Sequence, residues 1–275
     1  STEAKLYIKI YEGPRIKVSS IVIEGNSITK DSVIFHELDF KIGDTLTPDA
    51  IEESTRRLQR VGHFNSVEIK TLEERTQIAD RTIIIRVSDR DPGLFTIGAG
   101  VNSENSLTIR GYTGVAYRNL GGTGRGASAR LEGSYNPTDL KYLEYKVTLG
   151  YLEPYLFETR AKGRVNYTLD EYVSDFKNRV ATNVKQITWS LEQDITSHVL
   201  LSYDLFSSAQ IRTFKLADMD NKTELFINST GPTVTVDYRD HPFNTTKGTL
   251  TRLGLEYAHP DLGSSDTINY LKSFA

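Results

Sequence analysis

The chain has no cysteine, one methionine and one tryptophan in 275 residues. Without cysteine there is no disulfide framework, no thiolate metal site and no thiol nucleophile. No apolar run approaches the roughly 20 residues of a membrane-spanning helix. The mean hydropathy of −0.39 has the look of a water-exposed chain. Neither observation speaks against spanning strands, because a barrel strand offers only alternate residues to lipid. Charge of one sign is also missing: 33 basic residues face 36 acidic ones, for a net charge of −3. No basic run marks a nucleic-acid partner. The histidines at 36, 63, 198, 241 and 259 are scattered, without metal-ligand spacing. No Gly-x-Ser-x-Gly elbow occurs and no nucleophile–base set emerges, so no cofactor and no enzymatic activity are expected. The loop 121–126 is glycine-rich but lacks the Lys-Ser/Thr of a phosphate loop, and no helix follows it. It reads as a turn.

What is present changes character along the chain. Residues 15–88 read as strand, helix, helix, strand, strand, a small α+β domain. Ile16, Val18, Ile21 and Ile23 mark the first strand, which ends at Gly25-Asn26. Thr29 is placed to cap a helix carrying Val33, Ile34 and Leu38 on one face. Thr47 is the cap of a second helix, with Pro48 at its first position, Asp49 in its first turn, and Gly62 as its stop. Val67, Ile69 and Thr71 alternate with Glu68 and Lys70, and Ile83, Ile85 and Val87 alternate with Ile84, Arg86 and Ser88. That is the pattern of two strands with one buried face each.

After Asp91-Pro92-Gly93 the helical period disappears. Phe95, Ile97, Ala99 and Val101 alternate with Thr96, Gly98, Gly100 and Asn102, and similar segments follow to the end of the chain. Turn signals separate them, including Asn136-Pro137, Glu153-Pro154 and His259-Pro260. About ten amphipathic segments result. A soluble sandwich or barrel and a membrane barrel both produce this alternation. Segment length favours the membrane barrel, whose strands need ~9–11 residues against ~5–6 in soluble sheets. So do the 15 tyrosines. Tyr117, Tyr135, Tyr151 and Tyr257 stand near segment ends, where an aromatic girdle sits at the lipid boundary. The opposite face is charged or amide-bearing, as in a wet lumen, and Glu132 and Glu144 read there as polar lining.

Two sets of residues carry a family resemblance. Gly25-Asn26, Gly43-Asp44 and the run from Leu58 through Gly62-His63-Phe64-Asn65-Ser66-Val67 resemble a POTRA domain. The stretches 117–125, 152–157 and 237–248 resemble periplasmic turns of the BamA/TamA outer-membrane assembly family. The order POTRA then barrel is the specific part, and the resemblance spans nearly the whole chain. It implies residues 1–13 as the end of a preceding POTRA domain, 14–91 as a POTRA domain, and 92–275 as the N-terminal part of a transmembrane β-barrel. About ten strands of an expected sixteen are then present. Arg110-Gly111-Tyr112 has the form of the family's Arg-Gly-Phe/Tyr loop motif, but it lies in the second strand.

The expectations for function follow. The resemblance implies an outer-membrane location with the POTRA domain in the periplasm. It implies a non-enzymatic role in folding and inserting unfolded outer-membrane protein precursors, with accessory lipoproteins on the POTRA arm. The segment containing Phe95, Ile97, Gly98, Ala99, Gly100 and Val101 becomes one side of a lateral gate. Gly98 and Gly100 either weaken that strand or relieve crowding within it. The strand with Val67, Glu68, Ile69, Lys70, Thr71 and Leu72 is the candidate edge for receiving an extended client by β-augmentation. The alternative is a translocation pore for two-partner secretion, or the membrane module of a patatin-type phospholipase.

Overall fold

The computed structural model describes residues 14–73, 78–103, 107–196, 198–239 and 245–275. The expected remnant of a preceding domain at 1–13, and part of the turn motif at 237–248, lie outside those residues. The chain divides into two compact units, the first ending at Asp91 but including Gly121–Thr123, the second Pro92–Leu120 with Gly124–Ala275, and each is taken by itself.

The first unit runs β1 (Lys17–Glu24), α1 (Asp31–Glu37), α2 (Pro48–Val61), β2 (Phe64–Thr71) and β3 (Asp80–Asp89). The sheet order is β1-β3-β2, with β1 parallel and β2 antiparallel to β3. The last strand is therefore central, and its alternation explains why. Ile83, Ile85 and Val87 are buried, while Arg86 and Ser88 are exposed. With Val18, Ile34, Leu38, Phe40, Leu46, Leu58 and Phe64 they form one apolar core. Helix α2 follows its sequence signals: the Thr47 hydroxyl accepts the N–H of Ala50 at 3.2 Å, Pro48 opens the helix, and Gly62 ends it at φ 78°. Helix α1 departs from expectation. Its cap is Lys30, with no side-chain bond, and Thr29 lies outside the helix. The Thr29 hydroxyl is instead taken by Asp89, donating to Oδ1 at 2.6 Å.

Asp89, the last residue of β3, gathers the loop after β1. Its carboxylate also accepts from Ser27 Oγ (3.3 Å), Ile28 N (2.6 Å) and Thr29 N (3.4 Å). Burial opposes its charge, but these donors, led by the Thr29 hydroxyl, outweigh it and hold the carboxyl below the usual aspartate range.

The second unit is one antiparallel sheet of ten strands in sequence order. Its strands are β4 (Gly93–Asn102), β5 (Thr108–Leu120), β6 (Arg125–Tyr135), β7 (Leu143–Glu153), β8 (Lys162–Asp175), β9 (Val180–Asp194), β10 (Val199–Lys215), β11 (Asp218–Asp237), β12 (Leu250–Ala258) and β13 (Tyr270–Phe274). All but β13 reach the ~9–11 residues that a tilted membrane strand needs. No described helix is long and apolar enough to cross a membrane. The glycine-rich loop is a hairpin turn: Gly121, Gly122 and Gly124 take positive φ, and Asn119 Oδ1 accepts the N–H of Gly124 at 2.7 Å.

Candidate functional site

Register separates the two faces of the large sheet. One cross-strand row runs Phe95, Val115, Ala129, Leu149, Tyr167, Ile187. A second runs Ile97, Thr113, Leu131, Val147, Leu169, and then meets Lys185. A third joins Tyr117, Ala127, Tyr151, Val165, Trp189 and Phe206. The opposite face carries Arg130 on Glu132 (2.8 Å), Lys146 on Asp170 (2.9 Å), and Arg164 on Glu192 (3.0 Å). Glu144 there accepts the backbone N–H of Val173 at 2.8 Å, so it forms no acid pair with Glu132. A charged face that pairs with itself suits a wet lumen, and the aliphatic and aromatic face suits lipid.

The apolar belt is slanted. On β4 to β7 it reaches up to Val101, Ile109, Tyr135 and Leu143, which share one row. On β8 it stops at Leu169, before Glu171, and on β9 at Ile187, before Lys185. Strands tilted by ~35–45° produce this slant, since a row perpendicular to the strands then climbs through the bilayer.

The expected gate strand is β4, and among the described residues it pairs with β5 alone. Among the described residues nothing pairs with the outer edge of β4 or with that of β13 at the other end of the sheet. Phe95, Ile97 and Val101 point to the lipid side and are 64%, 73% and 70% exposed, with Ala99 among them. The two glycines differ. Gly98 faces the lumen beneath the ring of Tyr112, whereas Gly100 has open space around it. Tyr112 was visible in the sequence only as part of an apparent loop motif; its packing role appears once register sets it opposite Gly98.

The candidate client-binding strand in the first unit is β2, which pairs with β3 alone among the described residues. Glu68 and Lys70 lie on its exposed face, with Val67, Ile69 and Thr71 half-buried towards the helices. Leu72 follows the strand, 61% exposed, its N–H donating to Thr82 O at 2.9 Å. A recess on the face that β2 shares with β3 is lined by Glu68, Lys70, Thr71, Leu72, Ile84 and Arg86. β2 and β4, among the described residues, each end a sheet next to apolar side chains, the arrangement that strand addition uses. Among the described residues no group of three metal-ligating side chains forms.

Comparison with known proteins agrees with this architecture. Residues 16–90 match the POTRA family, described as a surface antigen variable number repeat, and residues 119–273 match the Omp85 superfamily domain. The outer membrane protein assembly factor BamA of Nitratidesulfovibrio vulgaris is 24% identical over 265 residues, covering 92% of this chain and 31% of that protein. The same-named protein of Neisseria meningitidis serogroup B is 27% identical over 151 residues, covering 52% of this chain and 19% of that one. This chain therefore spans a third or less of these relatives. The crystal structure of BamA from Haemophilus ducreyi lacking POTRA domains 1–3 superposes with a TM-score of 0.65 at 20% identity, over 92% of this chain and 49% of that one. CdiB from Escherichia coli superposes at 0.62 with 13% identity, over 93% and 47%. Likeness at such identity shows the fold alone. The two family matches, with the lipid-facing belt, set the large sheet in the outer membrane and the POTRA domain in the periplasm. The chain belongs to the Omp85 superfamily, as a POTRA domain followed by ten strands of a BamA-like outer-membrane barrel.

Proposed function

We propose that this protein assembles outer-membrane β-barrels, folding and inserting precursors by offering the outer edge of β4 as a template. The observation that carries the reading is β4 itself, a ten-residue strand at the end of the sheet that pairs with β5 alone among the described residues and has an apolar lipid side. A precursor strand added there would satisfy its backbone groups before entering hydrocarbon, where each unmet group costs several kcal/mol. The β2 edge of the POTRA domain receives the extended client first, with accessory lipoproteins on the same periplasmic arm. The action is non-enzymatic, driven by the stability of the folded client.

A second reading, a translocation pore for two-partner secretion, draws on the charged lumen face, whose ion pairs would line an aqueous path. Photo-cross-linkers placed at Ile97 and Ala99 on β4, and at Glu68 and Lys70 on β2, separate the two. The insertase reading predicts adducts with a stalled barrel precursor at both strands. Adducts confined to lumen positions such as Arg130 would overturn it in favour of the pore.

A further inference from the structure

We propose that the lipid-facing side of β4 to β11 binds one lipid with a phosphate-bearing headgroup. Its acyl chain lies along β4 to β7 and its headgroup rests on β8 to β11. The inference goes beyond client handling and rests only on the assignment of this face to the bilayer.

Two recesses meet on this face. The first, of about 530 Å³, is lined almost wholly by carbon. Its floor is the row Ala99, Gly111, Gly133, and Ile97, Leu131 and Leu143 wall it. The floor is low because the glycines have no side chains, and the groove runs about 14 Å, three inter-strand steps, from Ala99 to Tyr145. The second recess, of about 400 Å³, begins at Tyr145 and continues over Glu171, Asn183 and Arg212 in the same row, with Lys185 and Lys222 on either side. Tyr145 lines both.

A row of small residues alone would be a gap that any chain could fill. The polar recess joined to it supplies the recognition. Its carboxylates are already engaged. Glu171 accepts the Tyr142 hydroxyl, the Tyr145 hydroxyl (3.2 Å) and Asn183 Nδ2 (2.7 Å). Glu224 accepts Arg212 Nε at 2.8 Å and also Gln210. Lys185 and Lys222 have no carboxylate within 4.0 Å among the described residues. Lys222 Nζ lies 5.6 Å from the Phe214 ring centroid, over its face. The ammonium groups of Lys185 and Lys222 and the remaining donors of Arg212 therefore face one recess, three cations against the two carboxylates Glu171 and Glu224. Because rows climb with strand tilt, it lies at headgroup height while Ala99 lies in hydrocarbon. Phosphate oxygens match such donors, and the attached chain leads down the groove.

Native mass spectrometry of the full-length protein in detergent tests this with three probes: dioleoyl phosphatidic acid, dioleoylglycerol and inorganic phosphate. Phosphatidic acid should be retained at least about tenfold better than either half alone, since the two recesses act as linked sites. The Lys185→Gln/Lys222→Gln pair should reduce it to the level of dioleoylglycerol. Gly133→Leu should also weaken it, by filling the groove where a Cβ meets nothing within 4 Å. Heat-modifiable migration on gels verifies that both variants fold. Equal retention of dioleoylglycerol, retention of phosphate alone as strongly as the lipid, or retention unchanged in both folded variants would each overturn the proposal.

Discussion

The ring of Tyr112 covers Gly98: a Cβ built on Gly98 would stand 2.4 Å from Tyr112 Cζ. The two residues are direct partners across β4 and β5. On Tyr112 in turn rests Arg130, its guanidinium carbon 4.5 Å from the ring centroid. A strand weakened by the missing side chain is thus restiffened by a borrowed ring, as aromatic residues do for neighbouring glycines in sheets. Tyr112→Ala should cost about 1–2 kcal/mol locally, from ring packing and the cation–π contact together. Hydrogen exchange at 95–101 should quicken, and Gly98→Ala, which displaces the ring, should act in the same direction. Unchanged exchange in both variants would show that the ring does not hold β4.

Asp89 ties the end of β3 to the loop after β1, so it should govern POTRA stability at low pH. Its carboxyl is held below the ordinary aspartate range in the folded state. The stabilisation is therefore fully present above the unfolded value and is lost as pH falls through the lowered folded value. In a fragment of residues 14–91, Asp89→Ala should cost about 1–3 kcal/mol at pH 7, from charge-assisted hydrogen bonds. Its unfolding free energy should then vary less than wild type across the acid limb. Parallel acid limbs would remove Asp89 from this role.

Gly25 and Gly43 separate two costs of a side chain. Both take positive φ, 91° and 94°. A Cβ at Gly25 would stand 2.0 Å from Val87 O, whereas one at Gly43 meets nothing within 4 Å. Gly43→Ala should cost about 1 kcal/mol, the backbone penalty alone. Gly25→Ala should cost at least about 2 kcal/mol, because β3 must also shift. Urea midpoints of the same fragment check the order, and equal losses would contradict it.

Much of this fold is legible in the sequence because its signals are local. Thr47, Pro48 and Gly62 bound α2 through their own conformational preferences. The alternation of Ile83, Ile85 and Val87 marks a one-sided strand without reference to any partner. Thr29 misleads because the group that takes its hydroxyl is Asp89, 60 residues away. The later strands look irregular for a related reason. Lys185 and Arg212 fall on the lipid side of their strands by register, beyond the end of the apolar belt on β8 and β9. A register shift between Asp204 and Phe206 further breaks the alternation of β10. The two recesses join residues from eight strands, so no window of sequence contains them.

The central claim is that the outer edge of β4 templates client strands. The most direct measurement follows folding of a urea-released outer-membrane barrel precursor into liposomes containing the full-length protein. Empty liposomes serve as one control. A form in which the segment 95–101 is cross-linked to the strand facing its outer edge serves as the other. The account predicts faster folding with the protein, lost on locking and restored when the cross-link is cleaved. Folding no faster than in empty liposomes, or equally fast with the edge locked, would contradict it.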